Sequence, residues 1–372
     1  MQSLSKTSVW TASATAFKIA ISLILVKLFA LQFGLEGLGQ AANFMTLITV
    51  LAVVFIFFSA KISEWIFYSV DYQTVIIATG IIQFGIASSN YLLAILRGYR
   101  QAKANAISQS IGIFLAVSVF IIGLYVCDYS GALIGLAAIS ALAWLPAGYF
   151  LKPKGSVFRF REKGEFDWQY ARNLFKFSGM VFATAITLPL AYILLRDLLM
   201  ESHSLEQVGL WQGVSKISDA YLQLITAVFS VYLLPTFAKL TQKSEIKREL
   251  IKAVKFVGIL AIATGLSVFV LKREIILTLY SEQFLPMESL FIWQLIGDVF
   301  KVVAYVFGYL VVAKASLKLY VLAEVCQLTL LITIGHWLIP LNGAEGAVQT
   351  YLLTYFCYFF ICLFAFRRYL KN

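Results

Sequence analysis

Gly209–Gln223, GLWQGVSKISDAYLQ, places Lys216 and Asp219 inside an apolar run long enough to cross a bilayer. A second stretch, Trp293–Lys301, reads WQLIGDVFK and repeats the plan. In both, a Trp-Gln pair is followed at the same two offsets by charged residues, Lys then Asp in the first and Asp then Lys in the second. The two charges of each copy lie three residues apart and share a helix face. An ionisable group at bilayer depth costs about 2.5–3.5 kcal/mol on insertion scales, so four in two related segments require a polar cavity or mutual pairing.

The rest of the chain agrees with a membrane setting. Of 372 residues, 60% are hydrophobic and only 13% are charged, and the mean hydropathy is +0.84. This composition describes a polytopic membrane protein. The net charge of +11 does not point to nucleic acid, because the basic residues cluster in short loops between apolar runs. They read as topology determinants and as contacts for anionic lipid. Cys127, Cys326, Cys357 and Cys362 form no Cys-x-x-Cys pattern, and His203 and His336 are far apart, so neither a metal, a haem nor another cofactor is expected.

Eleven hydrophobic segments are predicted, at about 8–33, 40–60, 73–96, 106–127, 130–151, 178–198, 209–238, 253–271, 289–313, 318–340 and 344–366. Helices are the only suitable elements, since lipid-exposed strands leave backbone groups unpaired and the alternation of a barrel is absent. Basic residues at 97–103, 152–176, 239–252, 314–318 and 367–371 mark the cytoplasmic side, and the loops between them lean acidic. Before residue 73 the alternation fails: Lys6 favours an internal amino terminus, while the 61–72 loop reads as external. A re-entrant 40–60 segment resolves this, and an external amino terminus is the alternative. The polar break at 152–177 divides the chain into an N-terminal bundle, 1–151, a basic linker, and a C-terminal bundle, 178–372. The linker ends in DWQYARNLFKF, an expected amphipathic helix at the interface.

Trp211–Gln223 with SVYLLPT at 230–236, WQLIGDVFKVVAYVFGYLVVAKAS at 293–316, LAEVCQ at 322–327 and HWLIP at 336–340 resemble the bacterial flippases for polyprenyl-diphosphate-linked oligosaccharides. That family includes the O-antigen flippases and the flippase for lipid III of enterobacterial common antigen, and belongs to the superfamily of multidrug and polysaccharide exporters. Residues 8–44 and 90–108 carry the same resemblance. It implies an all-α fold of two pseudo-symmetric helix bundles around a central cavity, on a plan of twelve helices. Part of the second and third is missing here: ANFMTLITVLA looks like the start of one joined to the end of the other, and Met45 replaces an expected charge.

The resemblance implies transport and not enzymatic turnover: movement of the lipid-linked oligosaccharide from the cytoplasmic to the periplasmic leaflet of the bacterial inner membrane by alternating access. Membrane lipids, a polysaccharide polymerase and a chain-length regulator are the implied partners. For such cargo the candidate cations are Lys18, Lys27, Lys216, Lys301 and Arg97. Lys18 lies near mid-segment, whereas Lys27 is close to half a helical turn out of phase and snorkels outward. Arg97, with Arg100 and Lys103, either receives the diphosphate or serves topology alone. Asp219, Asp298 and Glu324 are candidate coupling carboxylates; the alternatives are ion pairing with the nearby lysines and, for Glu324, with Lys314 or Lys318. Tyr221, Tyr305 and Tyr309 are candidates for stacking on sugar rings. Two other readings stay open: a cation-coupled multidrug exporter, and a truncated, inactive flippase.

Overall fold

A computed structural model describes residues 56–67, 69–99, 101–151 and 168–371. The described residues form eleven α-helices and no strands. They are α1 (Ser59–Phe67), α2 (Gln73–Gly98), α3 (Ala102–Ala138), α4 (Trp144–Leu151), α5 (Trp168–Ser202), α6 (Leu205–Val228), α7 (Leu234–Lys239), α8 (Lys243–Val270), α9 (Lys272–Leu279), α10 (Phe291–Ala313) and α11 (Leu317–Lys371). Among the described residues, six helical stretches are long and apolar enough to cross a membrane. This is a multi-pass membrane protein. The chain divides into two compact units, one ending at Phe166 and the other running from Asp167 to the carboxyl terminus.

In the first unit α3 is a helical hairpin. Its direction reverses at Cys127 and Asp128, where Asp128 takes φ 50° and ψ −129°. The two limbs approach through glycine: a Cβ on Gly131 would lie 1.9 Å from the Gly123 carbonyl oxygen, and one on Gly135 would lie 2.3 Å from the Phe120 Cα. Small residues replace hydrophobic driving force with close backbone packing, as lipid-embedded helices require. The expected 130–151 span is interrupted. Residues 139–143 form a turn between α3 and α4. Ser89 of α2 holds that turn open, donating to the Ala141 carbonyl at 2.6 Å and accepting from the Trp144 amide at 2.9 Å. Residues 59–67, expected largely as an external loop, form α1. Most of the proposed re-entrant segment, and residues 8–44 of the resemblance, lie outside the described residues.

The second unit contains the six segments expected after the polar break. Trp168–Phe177, expected as a separate interfacial helix, is the beginning of the 35-residue α5. Ser204, in extended conformation, caps α6 by accepting from the Gln207 amide, which satisfies one of the first-turn donors. Between α6 and α7, Phe229–Leu233 forms a π-helical turn ahead of Pro235. Proline has no amide hydrogen and clashes with the carbonyl four residues back, and the widened turn absorbs both defects. α10 runs through the unit, packed most extensively on α11 and α8. α11 is a second hairpin, reversing at Gly343 with φ 61° and ψ −134°. That is nearly the conformation of Asp128 in the α3 hairpin, and here the residue is one that adopts it without steric cost.

Candidate functional site

The two Trp-Gln motifs meet within the second unit, where Ser218 and Tyr221 of the first surround Asp298 of the second. Asp298 of α10 is 1% exposed. Its Oδ2 accepts hydrogen bonds from the Ser218 hydroxyl at 2.6 Å and from the Tyr221 hydroxyl, both on α6. Its Oδ1 accepts from the Tyr351 hydroxyl of α11 at 2.6 Å and from the Gln294 amide at 3.3 Å. Gln294 also donates to Ser218 at 3.1 Å. Three hydroxyls and an amide from three helices therefore surround one carboxyl group, which is how a buried acidic group is made tolerable.

One turn further on, Lys301 lies against aromatic faces. Its ammonium is 5.0 Å from the Tyr351 ring centroid, 5.2 Å from Tyr355 and 6.0 Å from Tyr305. No carboxylate lies within 4.0 Å of it among the described residues, where the ion pair formed is Arg273 with Glu288. No direct ion pair forms within either motif among the described residues, although Asp298 and Lys301 act on one another electrostatically. Lys216 is half-buried and Asp219 exposed, and neither makes an ion pair among the described residues. Asp219 nevertheless lies close enough to Lys301 and Arg196 to act on both electrostatically.

Arg196 was not evident as a site residue from sequence. It is buried on α5, where its guanidinium donates to Gln212 at 3.1 Å and lies 5.9 Å from the Tyr192 ring centroid. Its signal, a charge close to the end of the apolar 178–198 run, was available but resembles that of a topology determinant. The Trp-Gln pairs acquire distinct duties. Gln212 receives Arg196 and Trp211 packs on Tyr192, while Gln294 serves Asp298 and Trp293 donates to Glu345 at 3.0 Å. Tyr192, Tyr351 and Tyr355 are likewise additions that only tertiary contact reveals.

Glu324 occupies a different place, between α5 and α11. It accepts from Thr184 at 3.0 Å and Thr187 at 2.9 Å, and Tyr320 shares a hydrogen bond with Thr184. Its alternatives, Lys314 and Lys318, are not its partners: Lys314 donates to the Leu240 carbonyl, and Lys318 is exposed. Of the tyrosines expected to stack on sugars, Tyr221 is committed to Asp298 and Tyr305 lines the Lys301 cage. Tyr309 packs edge-on against Phe229 in the apolar core. Arg97 falls near the end of α2, and Lys18 and Lys27 lie outside the described residues.

A lipid III flippase of Escherichia coli strain K12 is 44% identical over 404 aligned positions, which take in 97% of this chain and 97% of the relative. The chain belongs to the lipid III flippase family. The sequence model of the family described as polysaccharide biosynthesis protein matches residues 40–289. Because 97% of 372 residues fill 404 positions, roughly 43 positions of this flippase alignment have no counterpart in the chain. Among solved structures, lipid II flippase MurJ in an inward closed conformation superposes with a TM-score of 0.65 at 15% identity, covering 96% of this chain and 87% of that one. A mutant of the Vibrio cholerae MATE transporter VcmN gives 0.61 at 15% identity, covering 99% and 87%. At such identities these two likenesses establish for the flippase family member a shared fold.

Proposed function

We propose that this protein is a flippase that moves a polyprenyl-diphosphate-linked oligosaccharide of the lipid III class from the cytoplasmic to the periplasmic leaflet of the bacterial inner membrane. The observation that carries the reading is the 44% identity to a lipid III flippase across almost the whole of both chains. The chemistry of the second unit supports it. A diphosphate and several sugars crossing hydrocarbon unaided would cost tens of kcal/mol on Born-type estimates, whereas the polyprenyl tail is at home in lipid. The protein therefore has only to supply polar partners for the headgroup, with no bond made or broken.

Lys301 is the proposed point cation for the diphosphate, held by ring faces with no carboxylate within 4.0 Å among the described residues. Lys216 is the proposed second cation on α6, and Lys18, Lys27 and Arg97 are the proposed cations of the N-terminal half. Tyr305, beside Lys301, is the proposed ring for sugar stacking. Outward movement of an anion is favoured by an inside-negative potential, by about 2.3 kcal/mol per charge per 100 mV. Asp219, Asp298 and Glu324 are proposed as the carboxylates through which a coupling proton passes. The polymerase and chain-length regulator that consume the product are the proposed partners. Lys216→Ala and Lys301→Ala, introduced together, should abolish rescue of surface polysaccharide in a flippase-null strain. Full rescue by this membrane-inserted variant would refute the cationic site.

A further inference from the structure

At the basic, cytoplasmic end of the second unit, α8, α10 and the last turns of α11 enclose a groove of about 930 Å³. It has the size of a small-molecule site. Its walls include Phe307 of α10 and Phe359 and Leu363 of α11. Its rim carries Lys247 and Lys255 of α8 and Arg367 and Arg368 of α11, and no acidic residue is among the described residues that line it. Lys247, Leu250, Ile251, Val254 and Lys255 follow one another along one face of α8, the apolar members between two cations. Glu249 belongs to another face, where its carboxylate accepts from the Tyr232 hydroxyl at 2.8 Å. Lys243 lies 5.6 Å from the Tyr369 ring centroid and ties the start of α8 to the end of α11 beside the groove.

Four cations around an apolar slot at the membrane surface match an amphiphile with an anionic head and hydrocarbon chains. We infer that this groove is a binding site for an anionic glycerophospholipid of the cytoplasmic leaflet, resident on the second unit. The groove is separate from the Lys301 site. Phe307 follows Lys301 by six residues, which at 3.6 residues per turn puts the two about 120° apart around α10. A phospholipid seated here bridges α8 and the carboxyl-terminal turns of α11, whose four basic groups otherwise repel one another. The inference is independent of the cargo proposed above, and either can fail alone.

The test is a titration of the purified full-length chain in micelles with dioleoyl phosphatidylglycerol, phosphatidylcholine of the same chains, or undecaprenyl phosphate, with bound lipid read by native mass spectrometry. Phosphatidylglycerol should bind at least tenfold more tightly than phosphatidylcholine. Basic residues near a membrane contribute about fivefold each to attraction of anionic lipid, so Lys247→Gln with Lys255→Gln, and separately Arg367→Gln with Arg368→Gln, should each weaken it on the order of 30-fold. Leu363→Trp, which fills the slot and keeps the charges, should reduce binding of both phospholipids. Equal binding of the two phospholipids, or wild-type binding by both charge variants, would overturn the inference. So would displacement of phosphatidylglycerol by an equimolar amount of undecaprenyl phosphate, which would make the groove a docking surface for the cargo.

Discussion

Tyr351→Phe isolates a single bond of the buried carboxyl cluster. The substitution removes the hydroxyl that donates to Asp298 Oδ1 at 2.6 Å but leaves the ring that faces Lys301 at 5.0 Å and meets Tyr355 at 4.8 Å. Among the described residues, Oδ1 then keeps only Gln294, at 3.3 Å. A hydrogen bond to a charged group contributes about 1.5–3 kcal/mol and a neutral one about 0.5–1.5, so the loss should fall between about 1 and 3 kcal/mol. The assay is unfolding by denaturing detergent in mixed micelles, followed by tryptophan fluorescence. Tyr309→Phe is the control: Tyr309 packs by its ring against Phe229, and losing its hydroxyl should cost less than about 0.5 kcal/mol. A double-mutant cycle of Tyr351→Phe with Asp298→Ala should return a coupling energy of about 1 kcal/mol or more. If Tyr351→Phe matches the control, or the coupling vanishes, the cluster does not hold Asp298 as described.

Gly131→Ala should separate the limbs of the α3 hairpin and destabilise the protein by about 1–3 kcal/mol or more, since its new Cβ would lie 1.9 Å from the Gly123 carbonyl oxygen. Gly308→Ala, with nothing within 4 Å of the added carbon, should be neutral or stabilising by up to about 1 kcal/mol; the same unfolding assay compares them. Asp128→Gly should stabilise by about 1–2 kcal/mol, because it relieves an L-residue at φ 50°, and a lower unfolding midpoint would contradict this. Glu324→Leu should change stability by less than about 1 kcal/mol, as Thr184 and Thr187 retain the backbone acceptors Met180 and Ala183. The same variant should nevertheless lower polysaccharide rescue in the flippase-null strain, and normal rescue would remove Glu324 from the coupling route.

What the sequence made legible follows physical range. Asp298 and Lys301 stand out because any charge in an apolar run is conspicuous, and the six segments of the second unit stand out because hydrocarbon thickness sets their length. The break at 139–143 was illegible, since it depends on Ser89, some fifty residues earlier, reaching Ala141 and Trp144. Tyr351 and Ser218 were hidden for the same reason: a lone hydroxyl in a span has no meaning until the helix that faces it is known. Glu324 was visible but undecided between proton carrier and ion pair, and Thr184 and Thr187 on a distant helix resolve its contacts. The contact of Tyr309 with Phe229 was likewise hidden, because it depends on the helix that faces it.

Lys301 rests on ring faces, and this bears on how quickly such a site lets go. A cation locked to a carboxylate must break that bond before it takes a load, and an anion gripped by a planar fork has two bonds to lose before it departs. In the role proposed for it, a lysine among Tyr305, Tyr351 and Tyr355 would give up little on capture and would hold its guest at a single point. Differences in grip are felt mostly as differences in dwell time. For a carrier that must empty itself once per cycle, a loose hold shortens the slowest step it controls.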